Sequence, residues 1–460
     1  MPCCYHGPSQ SQQPAAGLTR RGFLKRTSSH LAAGALAAGF VDGTRAAAAG
    51  RDELRITRII AQDAHGRRAT PVAPNAFAPY RGYDCNEPLL RIQTNQGIEG
   101  ISNAGRRARR DTLRTLIGLN PFELFAWEDD CYAGPSEKHR GLVGALGGID
   151  LAVFDILGKA TDRPVADLFG PRLRHAVEVY DSTLYMDDLL TPEQREGLVY
   201  LEGRSMPDEH AAMVARKAEW LVNDYYRREG LRLFKIKTGR ARWMDSWEAA
   251  LERDIAVFRA VREAVGPFYT LFVDVNNGYE EDYTAAKRFI EETSDANLFG
   301  IEEMFDESNV EQHREVVEHA WSLGLRVRNI DGEGGGLASR FLSETVETPL
   351  GERPLFDIDN PSFSHGRGFV EVAAKAEQCR RYDMLVGPHN FASKIGFYAS
   401  VHMGFSVPNW AYAEVDDCDF PRLRLTGIEI RNGQAHLTGV PGLGIELDEE
   451  KLGRPRFEIE

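Results

Sequence analysis

Short apolar runs recur along the second half of the chain: LRLFKIK, YTLFVDVN, NLFGIEE, LRVRNIDGE, PLFDID, DMLVGPH and NWAYAE. Each has the length and composition of a buried strand, and each ends in a residue that is expensive to bury. In order these are Lys237, Asp274, Glu302, Glu333, Asp359, His389 and Glu414, in steps of 25 to 37 residues. Between the runs the pattern switches to helical period. DSWEAALERDIAVFRAVREAVG carries Leu251, Ile255, Phe258 and Val265 on one face and stops at Gly266. A repeating strand and crossover helix, beginning at HAVEVYDSTLY, predicts an α/β fold of the (β/α) barrel type, whose C-terminal strand ends converge on one mouth. The seven end residues are therefore expected in one site.

The pattern is different before the barrel. LRITRIIAQ and PLLRIQTNQGIEGIS alternate apolar and polar positions around an NQG turn, which predicts a small antiparallel sheet. In LVGALGGIDLAVFDILGKATD, Leu142, Leu146, Ile149, Val153 and Ile156 recur at helical spacing. Residues 53–175 are thus expected to form an α+β domain and 176–430 the barrel, with 431–460 packing back on the first domain. The Pro- and aromatic-rich stretch Ala69 to Tyr83 is expected to be a loop long enough to act as a lid. An unusually long link, Met186 to Gly230, follows the first barrel strand.

Composition adds bounds. With 460 residues, 42% hydrophobic and 27% charged, the chain has the make-up of a globular protein large enough for two folded units. The N-terminal segment is the exception. Thr19, Arg20, Arg21, Gly22, Phe23, Leu24 and Lys25 form a twin-arginine pattern before the apolar LAAGALAAGF, and Ala46 to Ala49 supply small residues for cleavage. Residues 1–49 are read as a signal for twin-arginine (Tat) export of a folded protein to the periplasm or another extracytoplasmic space. Without them, 50 basic residues face 68 acidic ones. Such a surface argues against nucleic acid and against anionic membranes as partners. Cys85, Cys131, Cys379 and Cys418 have no zinc-type spacing and read as buried thiols, with a disulfide left open by the export signal.

Asp274, Glu302 and Glu333 end three successive strands, and three carboxylates in one mouth repel unless a cation sits among them. Oxygen-only ligands favour a hard ion, Mg2+ before Mn2+ or Ca2+. Lys235 and Lys237 alternate on one strand and point the same way. Two neighbouring ammonium groups are expected to lower each other's pKa, making one a usable base. His389 follows Asp359 by one unit, and a carboxylate beside an imidazole fixes its tautomer and raises its basicity. Lys and His would then address both faces of one substrate carbon, with Glu414 as an acid or hydrogen-bond partner.

These motifs resemble the enolase superfamily, mandelate racemase subgroup, over residues 53 to about 430. LLRIQTNQGIEGIS and IDLAVFDILGKATDRPVADLFG are similar to the family's capping domain, and Lys235-Ile236-Lys237 to its KxK motif. The resemblance implies a modified (β/α)7β TIM barrel under an α+β capping domain, a homo-oligomer, and one Mg2+ per site, with Mn2+ as a substitute. It implies Asp274, Glu302 and Glu333 as metal ligands, Asn276 and Lys235 for substrate binding, Lys237 as base and His389 with Asp359 as a dyad. Glu303 rivals Glu302, Asp331 rivals Glu333 and Asp357 rivals Asp359; His365 has no counterpart. No Lys follows the sixth strand, which disfavours the muconate-lactonizing subgroup, and Asn276 stands where galactonate-type dehydratases use His.

The chemistry so implied is removal of a proton α to a carboxylate, with an enediolate intermediate steadied by Mg2+ and Lys235. Three readings follow: an acid-sugar dehydratase giving a 2-keto-3-deoxy acid, a racemase or epimerase, and a non-catalytic sugar-acid-binding protein. In the first, Lys237 or His389 takes the α-proton and the dyad protonates the departing β-hydroxyl.

Overall fold

Eight parallel strands form the larger domain in the computed structural model, which describes residues 50–202, 210–279, 282–448 and 452–460. Residues 1–49, read above as an export signal, and residues 203–209 of the long link lie outside the described residues. In chain order the barrel strands are Val177–Leu184, Leu233–Lys237, Thr270–Asp274, Leu298–Glu302, Arg328–Gly334, Ile358–Pro361, Leu385–Val386 and Ala413–Val415. Each pairs in parallel with the next as far as the seventh. The eighth pairs with the first through Ala413 and Val179, and it meets the seventh through a Val386–Trp410 bridge. Hydrogen bonds from Val386 N to Asn409 O and from Ala411 N to Val386 O, both 2.8 Å, complete that closure.

Seven connections join the eight strands, and six of them carry a helix of nine or more residues. Trp247–Val265 shows why such a segment is helical: the Ser246 hydroxyl accepts from Ala249 N at 3.2 Å at its start. Leu251, Ile255 and Phe258 are buried on one face, and Gly266, at φ +83°, ends the helix. The fifth connection departs from the repeat, having only Ser339–Leu342 and a hairpin of Thr345–Thr348 with Gly351–Pro354. No helix among the described residues is long and apolar enough to cross a membrane.

Tyr180, Phe272, Ile330, Ile358 and Tyr412 pack together inside the barrel. The Tyr180 ring lies 4.7 Å from Tyr412 and 5.1 Å from Phe272, both edge to face. Because side chains alternate along a strand, this apolar floor sets which residues above it point inward.

The smaller domain is built on the strands Ile56–Val72, Gly82–Thr94 and Glu99–Ser102 and the helix Asp150–Ala160. Helix and sheet touch at Gly100, where a Cβ would lie 1.9 Å from Ala152 O, so only glycine permits the approach. The helical pattern expected to begin near Leu142 is interrupted. Gly147 adopts φ +49°, and the continuous helix starts at Asp150. The expected Ala69–Tyr83 loop is also shorter, because the first strand continues to Val72 and pairs with Gly82. The remaining 73–81 segment docks on the barrel mouth. Trp243 Nε1 donates to Asn75 O at 2.7 Å, and Met186 N donates to Pro74 O at 3.2 Å. Beyond the barrel, Phe457–Ile459 pairs with Ile59 to Ala61 of the smaller domain, while Gln434 and Ala435 pair with the first barrel strand. The four described cysteines are free.

Two acids of the smaller domain cap barrel helices. Glu87 accepts from Ser393 Oγ and Lys394 N, each at 2.7 Å, at the start of Lys394–Ser406. Asp150 accepts from Phe369 N at 2.8 Å and Val370 N at 2.9 Å at the start of Phe369–Arg380. Burial outweighs these bonds and raises both carboxyls to about 7. The folded protein then holds protons that the unfolded chain has already released, so these groups make stability fall as pH rises from the usual carboxylate range to about 7. The denaturation midpoint is expected to be higher at pH 5 than at pH 8, with a smaller difference in Glu87→Gln. Urea melts at the two pH values check this, and an unchanged difference in the variant would refute it.

Candidate active site at the barrel mouth

Strand register brings the site together. Lys237 lies beside Asp274, and Asp274 beside Glu302, on neighbouring strands. Lys235, fully buried, places Nζ 2.8 Å from Glu302 Oε1, 3.2 Å from Asp274 Oδ2 and 3.7 Å from Glu414 Oε1. Lys237 donates to Asp274 Oδ2 and, at 3.0 Å, to Asn276 Oδ1. Asn276 in turn donates from Nδ2 to Glu303 Oε2 at 2.9 Å. Both Asn276 and Glu303 adopt positive φ, 47° and 48°, which turns the backbone outward just past the strand ends.

The electrostatics correct one expectation. Burial alone would lower the Lys235 pKa, but Glu302, Glu414 and Asp274 together hold it well above its ordinary value. Lys235 is thereby held in its charged form, and the expected lowering of one lysine by the other is not found at Lys235. Glu302 is pushed well up by burial, then by Asp274 and Glu414 against the pull of Lys235. Glu303 rises to about 8 through burial and the nearby Asp274 and Glu333. Glu302 Oε2 is buried and has no hydrogen-bond partner among the described residues. Asp274, Glu302 and Glu303, crowded together with an orphaned oxygen, fit a hard divalent cation, while Glu333 also stands among nitrogen donors, its carboxylate and the rings of His365 and His389 offering ligand atoms within 4.8 Å of one another.

Inward and outward parity separates the rival acids. Ile330 is inside the barrel, so Asp331 turns to the helix layer, with Oδ2 3.9 Å from His313 Nε2. Gly332, at φ +101°, and a register break after Asp331 then bring Glu333 to the mouth. Glu333 Oε1 lies 3.4 Å from His389 Nε2 and 3.7 Å from His365 Nδ1.

The expected pair of His389 with Asp359 is not formed. Ile358 faces the interior, so Asp359 points out between strand and helix, accepting from Leu337 N at 2.9 Å and from Cys379 Sγ at 3.3 Å. The partners of His389 are instead Glu333 and Glu414, whose Oε2 lies 3.4 Å from Nδ1. Asp357 is further from the mouth and accepts from Asn329 N at 3.0 Å. Glu414 also accepts from Asn390 N at 2.6 Å. Despite burial, Lys235 and His389 keep Glu414 below the usual carboxylate range.

Two residues were undervalued by sequence reasoning. His365 stacks on His389, with ring centroids 5.2 Å apart and planes 18° from parallel. Burial, then repulsion from His389, lowers His365 to about 4, so its ring is neutral at pH 7. It comes from the loop after the sixth strand, and nothing in that loop's local pattern marks it. Glu303 was expected only as a rival to Glu302, whereas the structure holds it against Asn276 with Glu302 also at the mouth.

With this geometry, the chain can be set beside known proteins. Residues 217–328 and 348–451 match the family described as Enolase C-terminal domain-like. A D-galactarolactone cycloisomerase of Agrobacterium fabrum is 32% identical over 389 residues, 79% of this chain and 89% of that protein. A D-galactonate dehydratase family member of Streptomyces bingchenggensis is 24% identical, covering 81% and 90% respectively. Among solved structures, the galacturonate dehydratase of a Geobacillus species superposes with a TM-score of 0.68 at 27% identity, over 86% of this chain and 95% of that one. A variant of that enzyme was crystallised with Mg. The barrel with its capping domain, the aligned length and the identity to the cycloisomerase together show that the chain belongs to the enolase superfamily.

Proposed function

We propose that this protein is a Mg2+-dependent acid-sugar dehydratase, which removes the proton α to a carboxylate and expels the β-hydroxyl to leave a 2-keto-3-deoxy acid. The observation that carries the reading is the placement of Lys237 and His389. They come from the second strand and from just beyond the seventh, with the carboxylate cluster of the third, fourth and fifth strands also at the mouth. Dehydratases of galactonate, xylonate and galacturonate among the relatives support the same class.

Asp274, Glu302 and Glu333, with Glu303 beside them, would hold Mg2+, which supplies positive charge against the enediolate. Lys235 adds a second fixed positive charge beside Glu302 and Asp274. Lys237 reaches the site through Asn276, which sets the direction of its ammonium group. Lys237 or His389 takes the α-proton. His389, with Glu333 and Glu414 each 3.4 Å from one ring nitrogen, can pass a proton to the departing hydroxyl while its positive charge is balanced. Asp359 has no part in that step, because its carboxylate is held in the helix layer.

A second reading is an isomerase, favoured by the cycloisomerase that is 32% identical to the chain. Incubation of the Mg2+-loaded protein with acid sugars in D2O separates the two. Keto-acid formation that is lost in Lys237→Ala establishes the dehydratase. Deuterium uptake at the α-carbon without keto acid would replace it by the isomerase.

A further inference from the structure

A cavity of about 330 Å³ opens between the smaller domain and the loops after the sixth and seventh strands. His365 is one of its walls, and the same ring stacks on His389, so the cavity continues the catalytic mouth. Its lining is rich in guanidinium groups. Arg68 is committed to Asp416 and Asp417, and Arg106 reaches Asp63 at 3.3 Å. Arg81 and Arg107 meet no carboxylate within ion-pair distance among the described residues. Arg81 lies 5.9 Å from the Phe391 ring, and Arg107 runs along Gly366, next to the cationic Arg367.

The acids on the wall do not balance them. Glu87 is engaged by the helix at Lys394, which leaves Asp84. The neutral polar groups are also incompletely used. Asn103 is 6% exposed and donates through Nδ2 to Phe363 O and Ser393 Oγ, yet its Oδ1 has no partner among the described residues. Buried polar atoms without partners are rare unless a ligand supplies them. A free amide oxygen suits a hydroxyl of a polyol chain, and two guanidinium groups without a carboxylate partner suit an anion at its end.

We propose that the substrate is an acid sugar carrying a second, terminal anion, held by Arg81 and Arg107 while its first carboxylate lies at the carboxylate cluster. The terminal group is a carboxylate or a phosphate. This inference rests on the dehydratase reading for the position of the first carboxylate, and it narrows the substrate class.

The test uses the Mg2+-loaded full chain with aldarates, the corresponding aldonates and 6-phosphoaldonates of matched stereochemistry. The expected result is a preference for one dianion over the aldonate, with kcat/KM for that dianion reduced about 10- to 100-fold in Arg81→Gln and Arg107→Gln. The loss should fall mainly on KM, with aldonate turnover unchanged. Both side chains are at the surface, so neither variant should disturb folding. Preference for the aldarate identifies a carboxylate and preference for the 6-phosphoaldonate a phosphate. Equal turnover of aldonate and dianions, or a dianion preference untouched by either variant, overturns the inference and leaves the dehydratase standing. Thermal shift reads binding without turnover. A dianion that raises Tm more than its aldonate, and loses that advantage in both variants, supports the site even if the dehydratase reading fails; equal shifts overturn it.

Discussion

Alanine at Lys237 or at His389 is expected to lower kcat/KM for the acid-sugar substrate by about 10²- to 10⁴-fold, the range that a positioned acid or base contributes. The double variant should lose little more, because the two residues serve one proton path and effects within such a unit do not multiply. The variants should separate in D2O. If Lys237 takes the α-proton, Lys237→Ala loses both α-exchange and keto acid, whereas His389→Ala still exchanges but no longer dehydrates. The reverse pattern would assign the base to His389. Asp359→Asn is the control that distinguishes the observed site from the expected dyad. Its carboxylate meets Leu337 N and Cys379 Sγ and not the imidazole, so kcat should stay within a few-fold of wild type. A loss as large as that of His389→Ala would restore Asp359 to the catalytic apparatus.

Lys235→Met should produce the largest change in stability. It removes the cation from among Glu302, Asp274 and Glu414, three carboxylates that are almost fully buried. Breaking a buried ion pair by deleting one partner typically costs about 3–5 kcal/mol, because the remaining charge is left uncompensated. The loss should be clearest in EDTA and largely reversed by Mg2+, since a cation bound only by the folded state stabilises it by mass action. Wild type should gain less from the same ion, because Lys235 and Lys237 already neutralise part of the cluster. Tm measured with and without Mg2+ decides the matter. A Lys235→Met protein as stable as wild type in EDTA, or one that Mg2+ does not rescue, would show that the carboxylates are not organised around positive charge.

Much of the site was legible along the chain because a parallel barrel turns position in sequence into position in space. Each strand must end at the same rim, so a costly residue at each strand end points to a common mouth. Lys235, Lys237, Asp274, Glu302, Glu333, His389 and Glu414 do gather there. Asp359 does not. It ends a run as the others do, but spacing carries no information about which face of a two-residue repeat looks inward. The packing of Ile358 with Tyr180 and Tyr412 sets that phase.

Composition, hydrophobic period and strand-end chemistry by themselves determined the barrel, its small antiparallel partner and the oxygen-rich centre of the site, because those features follow from which residues can be buried and at what interval. Only the tertiary structure decided what depends on phase and on approach between distant segments. It turned Glu303 to the mouth through a positive-φ backbone, stacked His365 on His389 and placed the latter between Glu333 and Glu414. It also set Arg107 of the smaller domain against the loop after the sixth strand and Arg81 against the loop after the seventh. The first two depend on turns past strand ends, and the last on the docking of one domain on the other. Local sequence pattern does not register contacts made across hundreds of residues.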